Sequence, residues 1–292
     1  MLKIENLTKT FGSFKALDGL NLTVPRGAVY GLVGPNGAGK TTAIRHITGV
    51  YRPDSGTVTL EGQPVYENTA AKAKMGVVPD DLFFGGATIG EMAKFYAGLY
   101  PTFDWGLFRR LEEAFPLPKN SPIRRFSKGM LKQAAFWLTI ASRPEILILD
   151  EPVDGLDPVM RRQVWSLILS DVAEREATVV VSSHNLRELE DICDHVGIMN
   201  GGRMLMERSL ADMQGATLKV QLVGQVPEEL EILHRASSGR LETLVVRDTE
   251  EALRRKLNRA ELTYFDILPL SLEEIFIYEL GGADYAIRDI IL

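Results

Sequence analysis

Apolar and polar positions alternate in short runs at the start of the chain, and Leu2–Leu7, Leu20–Val24 and Val29–Leu32 are predicted to be strands. Gly12 and Pro25-Arg26-Gly27 punctuate them. The last of these runs leads into a glycine-rich loop and a helix that starts near Lys40 and is ended by Gly49. Pro53-Asp54-Ser55-Gly56 then turns the chain into a further strand, Thr57–Leu60. From about Leu82 to Ser142 the pattern is helical, with aromatics at Phe83, Phe84, Phe95, Tyr96, Tyr100 and Trp105. Ile146–Leu149 is apolar throughout, as a strand buried on both faces must be. Helix Pro158–Arg175, strand Thr178–Ser182, helix Asn185–Cys193 and strand Val196–Met199 follow in strict alternation. That order predicts a doubly wound α/β sheet with parallel strands at its centre.

After Gly215 the texture changes. Leu218–Val223 and Thr243–Val246 read as strands, Glu250–Arg259 and Ser271–Leu280 as helices. Residues 1–214 are therefore expected to form one large domain with a helical subdomain at about 82–142, and residues 215–292 a small α/β accessory domain. The basic run Arg254–Arg259 reads as a solvated helix face.

Composition narrows the function classes. With 45% hydrophobic and 25% charged residues in 292, the chain is neither disordered nor fibrous. A net charge of −6 argues against a nucleic-acid partner, which calls for a basic surplus. The single cysteine, Cys193, cannot close an internal disulfide and suits a reducing compartment. No apolar run approaches the roughly 18–20 residues that cross a bilayer, and Ala134–Ala141 reads as buried helix. The first residues lack the apolar segment of a secretory leader. A cytoplasmic protein is expected, with any membrane link made through a partner.

The chemistry is concentrated in two motifs. Gly34-Pro35-Asn36-Gly37-Ala38-Gly39-Lys40-Thr41 fits G-x-x-x-x-G-K-[ST] in the required context, after a strand and opening a helix. Glycines let backbone N–H groups surround phosphate oxygens, and the helix N-terminus adds about half a positive charge. Lys40 is placed for the β- and γ-phosphates and Thr41 for Mg²⁺, with Thr42 completing the nucleotide-binding set. Downstream, the apolar strand ends in Asp150 and Glu151. Asp150 is delivered to the Mg²⁺ side of the phosphates, and Glu151 stands where a general base would polarise the attacking water.

Over residues 1 to about 210 these motifs resemble the ABC ATPases. That family carries a signature segment, ordinarily L-S-G-G-Q, ahead of the acidic strand. Here Phe126-Ser127-Lys128-Gly129-Met130 occupies the place, matching at Ser127 and Gly129. The resemblance implies that this segment binds the ATP held by an opposite subunit, although Ser127 also reads as an ordinary N-cap. Gly155-Leu156-Asp157 is similar to the family's D-loop, His184 to its switch histidine, and Phe11 to the aromatic that stacks on adenine. Where the family has a Gln after a strand, this chain has Asp80, following Met75–Pro79. An Asp there is shorter and charged, and is carried over as a metal or water contact.

The resemblance implies an ATP- and Mg²⁺-dependent hydrolase. It would pair with a second cassette, identical or different, and with integral membrane permease subunits, at the inner face of the membrane. Ser127-Lys128-Gly129-Met130, the closing Ser271-Leu272-Glu273-Glu274-Ile275-Phe276 and Tyr100–Trp105 look like a bacterial export-type subgroup serving drugs, peptide antibiotics or polysaccharides. The alternative is a permease-free ABC ATPase acting in cofactor assembly or repair.

Overall fold

The computed structural model describes residues 1–212, 217–268, 270–271 and 274. The domain boundary near Gly215 and most of the expected helix Ser271–Leu280 lie outside the described residues. The chain divides into two compact units, one of Met1–His184 with His195–Glu207, the other of Asn185–Asp194 and the described residues from Arg208 onward.

Two sheets build the first unit. In one, β1 (Leu2–Phe11), β2 (Phe14–Val24), β4 (Ser55–Leu60) and β5 (Gln63–Pro64) run in the order β2-β1-β4-β5 with antiparallel ladders. The other contains β3 (Val29–Val33), β6 (Met75–Val78), β7 (Ile146–Asp150), β8 (Thr178–Ser183), β9 (His195–Asn200) and β10 (Arg203–Ser209). Its order is β10-β9-β3-β8-β7-β6, and the ladders from β9 through β3, β8 and β7 to β6 are all parallel. Every residue of β3, β7 and β8 is buried, as the apolar runs Val29–Leu32, Ile146–Leu149 and Thr178–Ser182 require. Helix α1 (Lys40–Ile47) shares one apolar cluster with both sheets: Ala43, Ile44 and Ile47 join Leu2, Leu20 and Leu22 on one side and Tyr30, Ile146 and Val180 on the other.

The helical region contains α3 (Ile89–Leu99), α4 (Trp105–Ala114) and α5 (Lys128–Ala141), after the short α2 (Thr69–Lys72). Their starts are set locally. Thr88 and Glu91 form a reciprocal capping box, Asp104 accepts from Leu107 N–H, and Ser127 Oγ accepts from Met130 N–H. Trp137 anchors α5 to α4: it is fully buried, stacks on Phe108 at 5.0 Å, and donates Nε1–H to the Phe108 carbonyl at 2.7 Å. Helix α5 also lies close against the sheet, since a Cβ at Gly76 of β6 would stand 2.7 Å from Thr139 Cγ2. Helix α6 (Pro158–Arg175) leads from β7 to β8.

The second unit holds α7 (Arg187–Glu190) and a four-stranded antiparallel sheet of β11 (Thr217–Gly224), β12 (Ile232–Ser238), β13 (Leu241–Arg247) and β14 (Leu262–Leu268), in the order β12-β13-β11-β14. Helix α8 (Glu250–Arg259) buries Leu253 and Leu257 among Val220, Leu222, Leu244 and Val246, while Arg254 and Arg255 face solvent. Burial pushes the Cys193 thiol far above its ordinary pKa, which keeps it unreactive.

The expected helix Asn185–Cys193 is shorter than predicted. Asn185 Oδ1 accepts from Arg187 N–H in an Asx-turn that holds the chain out of helix at its start, and i→i−3 bonds such as Ile192 N–H to Leu189 C=O tighten its end. Strands β12 and β14 were not expected, because β12 is almost wholly exposed and β14 only partly covered, so neither carries a clean alternation.

Truncating the tryptophan tests the α4–α5 packing. Trp137→Ala should cost about 3–5 kcal/mol in urea unfolding. Trp137→Phe should lose mainly the hydrogen bond, about 1 kcal/mol.

Candidate nucleotide site

The loop after β3 is folded too tightly for side chains. A Cβ at Gly34 would stand 2.4 Å from the Met199 carbonyl oxygen, and one at Gly39, whose φ is 104°, 2.8 Å from that of Ala16. Pro35 and Asn36 form the outer edge, Gly37 opens onto empty space, and Ala38 tucks inward. Gly39 gives α1 an N-terminus that no side chain caps. Its first amides and the positive end of its dipole are left to an anion. Lys40 is almost fully buried and arches back over the loop, donating to the Gly34 carbonyl at 2.6 Å and approaching that of Pro35 at 3.3 Å. Thr42, partly buried, follows the exposed Thr41.

The acids meet this loop from β7. Thr41 Oγ1 donates to Asp150 Oδ1 at 3.4 Å, so a hydroxyl and a carboxylate converge as the hard oxygen pair that a small divalent cation takes. Ser182 Oγ–H donates to the same Asp150 oxygen at 2.6 Å and accepts Glu151 N–H at 3.0 Å. Glu151 adopts φ 45°, a left-handed conformation costly for a residue with a Cβ. Its Oε1 lies 3.3 Å from Lys40 Nζ and its Oε2 3.0 Å from His184 Nδ1. His184 directly follows β8 and is exposed. Asp154 joins them: ligand atoms of Glu151, Asp154 and His184 all lie within 4.8 Å of one another.

Most of the other expected positions form a second group. Ser127 is exposed at the start of α5, Phe126 is buried beneath it, and Met130 is half-buried. Gly129 lies against Gly155, whose carbonyl oxygen would be 3.0 Å from a Cβ at residue 129. Leu156 is buried, and Asp157 caps α6 by accepting from Val159 and Met160 N–H at 3.0 Å each, with Pro158 in the first turn. Asp80 Oδ1 stands 3.4 Å from Lys132 Nζ and 3.5 Å from Lys128 Nζ, so its carboxylate is engaged by ammonium groups. Phe11 is 44% exposed and meets Tyr51 edge-on at 5.5 Å, with Lys9 over its ring. Among the described residues, no hydrogen bond or ion pair joins 126–130 to the loop at 34–42.

Three residues in this region were not foreseen. Ser182 bonds both acids, Asp154 borders Glu151, and Lys132, fully buried, donates to the Glu151 carbonyl oxygen. The sequence carried no signal for Lys132, which precedes the apolar run Ala134–Ala141 beside Gln133 and reads as a solvated helix position.

A phosphate loop after β3 and acids at the tip of β7, one strand beyond β8, place the site at the carboxyl ends of parallel strands and define a P-loop nucleotide hydrolase. The family model described as ABC transporter matches residues 17–154. The chain is 35% identical to the bacitracin transport ATP-binding protein BcrA of Bacillus licheniformis, over 71% of this chain and 69% of that protein. It is 31% identical to the Nod factor export ATP-binding protein I of Burkholderia lata, over 94% and 95% of the two chains. The ABC transporter ATP-binding protein YtrB of Bacillus subtilis is 28% identical over 97% of this chain and 99% of its own. A solved structure of an ATP binding subunit of an ABC transporter superposes with TM-score 0.67 at 26% identity, over 73% of this chain and 92% of that one. The chain belongs to the ABC transporter ATP-binding family. It binds and hydrolyses ATP, and the reading as a permease-free assembly or repair ATPase is not favoured.

Ser182→Ala tests the anchoring of the acids. It leaves the Glu151 N–H unpartnered and Asp150 less fixed, and should lower kcat for ATP about tenfold, the worth of roughly 1.4 kcal/mol. Steady-state phosphate release measures it.

Proposed function

We propose that this chain is the motor subunit of a bacterial export system, hydrolysing ATP as one of two cassettes beneath a separate membrane permease. The observation that carries the chemistry is the meeting of Lys40, Thr41, Asp150, Glu151 and His184 at one end of the central strands. Lys40 and the α1 amides bind the phosphates, and Phe11 offers a face to the base. Thr41 and Asp150 are the oxygen ligands for Mg²⁺, which when bound neutralises phosphate charge and orients the phosphoryl group. Glu151 orients and polarises the attacking water, and His184, 3.0 Å from it, contacts the transferring phosphate.

Ser127 and Gly129, set apart from the phosphate loop of their own chain, would close over the ATP of a second cassette, and Gly155–Asp157 beside them would report across the same boundary. No described helix is long and apolar enough to cross a membrane, so the permease is a separate polypeptide in this reading. Phe83, Phe95, Leu99 and Trp105 are large apolar side chains exposed in the helical region and suit a membrane partner's cytoplasmic segment. That placement puts the subunit on the cytoplasmic face. Export is supported by the names of relatives that serve bacitracin transport, Nod factor export and linearmycin resistance.

Two substitutions separate binding from chemistry. Glu151→Gln should lower turnover by about 10²–10⁴ while ATP affinity is kept. Lys40→Ala should instead weaken nucleotide binding itself, read by fluorescent-nucleotide titration. Wild-type turnover in the first, or wild-type affinity in the second, contradicts the assigned roles.

A further inference from the structure

We propose that Lys132 is a positioning residue for the catalytic carboxylate, fixing the left-handed Glu151 peptide and tying it to Asp80; this rests on the reading of Glu151 as the base. Lys132 lies one turn into α5 with no exposed side-chain surface. A buried ammonium is costly unless its charge is met, and an ordinary packing position at this point of an apolar helix would hold a Leu or Met. Its Nζ instead donates to the Glu151 carbonyl oxygen and lies 3.4 Å from Asp80 Oδ1.

The Glu151 peptide is thereby gripped from both sides. Ser182 on β8 takes its N–H, and Lys132 on α5 supplies a donor to its C=O. A glutamate at φ 45° would relax toward the right-handed region if either grip were lost, and its carboxylate would swing away from Lys40 and His184. Asp80 completes the arrangement. Its Oδ1 is hidden from solvent and makes no hydrogen bond among the described residues, so the charges of Lys132 and Lys128 are what satisfy it. Burial draws the Lys132 pKa below its ordinary value, and the Asp80 carboxylate opposes that shift. An acid at this place, where the family resemblance leads one to expect Gln, is the partner a buried lysine needs.

The test is steady-state ATP hydrolysis by Lys132→Met, Lys132→Arg and Asp80→Asn, with Lys132→Met also made in the Glu151→Gln background. Lys132→Met should lower kcat about 30-fold with KM for ATP within about threefold, because the lost interaction acts on the base rather than on binding. Lys132→Arg should recover part of that loss. In the Glu151→Gln background Lys132→Met should change the residual rate less than about twofold, since the group it positions is gone. Asp80→Asn, at a partly exposed site, should lower kcat about fivefold and add little to Lys132→Met. It gives a second readout if Lys132→Met is recovered in poor yield. Wild-type kcat in Lys132→Met, or an equal loss in both backgrounds, overturns the inference while leaving Glu151 as base. Wild-type turnover in Glu151→Gln overturns the base and this inference with it.

Discussion

The register between β7 and β8 is the constraint on which the site depends. Asp150 pairs with Ser182 across that parallel ladder, and the Ser182 hydroxyl donates to the Asp150 carboxylate while accepting the next N–H, that of Glu151. A slip of one residue would send every side chain of the strand to the other face and break both bonds together. Ile146–Leu149 and Thr178–Val181 are covered on both faces, so no in–out alternation sets the register, and the Ser182 bonds to Asp150 and Glu151 are specific to this pairing. Strand β8 also pairs with β3, aligning Val33 with Ser183, so the start of the phosphate loop and the acids share one frame. The distances from Thr41 and Lys40 to the acids follow from that frame rather than from loop chemistry.

Within it, charge is balanced at short range. Lys40 is shared between the loop carbonyls and Glu151, and Lys132 between the Glu151 carbonyl and Asp80. Lys40, Glu151 and Lys132 are largely buried while Asp80 is partly exposed, and the enclosed charges raise the cost of misplacing any one of them, which favours a single geometry. Such fixed positioning is what phosphoryl transfer demands, since the protein contributes orientation and electrostatics more than covalent steps.

Much of this was legible in the sequence. The phosphate loop announces itself by spacing and context, and the uninterrupted apolar run ending in Asp150-Glu151 locates the acids, because both signals are local and periodic. Lys132 was not legible. A lysine on a helix reads as solvated, and only the packing of α5 against the sheet shows that this one is enclosed. The ion pairs of Asp80 were not legible either, because Lys128 and Lys132 lie some fifty residues later and sequence spacing does not bring them together. Ser182 looked like a strand terminus until the ladder set it opposite Asp150. The strands β12 and β14 escaped because exposure removes the alternation by which strands are recognised.

Asp80 and Lys132 join the Glu151 peptide to the helical region, whose exposed aromatics suit contact with a membrane partner. The most direct measurement of that partnership is a pull-down of the tagged chain from detergent-solubilised native membranes, with ATP present and Glu151→Gln used to hold the nucleotide-bound state. The expected result is recovery of a polytopic membrane protein whose yield falls when Phe83 and Phe95 are replaced by polar residues. Recovery of soluble partners alone, when the wild-type chain is shown to hydrolyse ATP, would contradict a role beneath a permease.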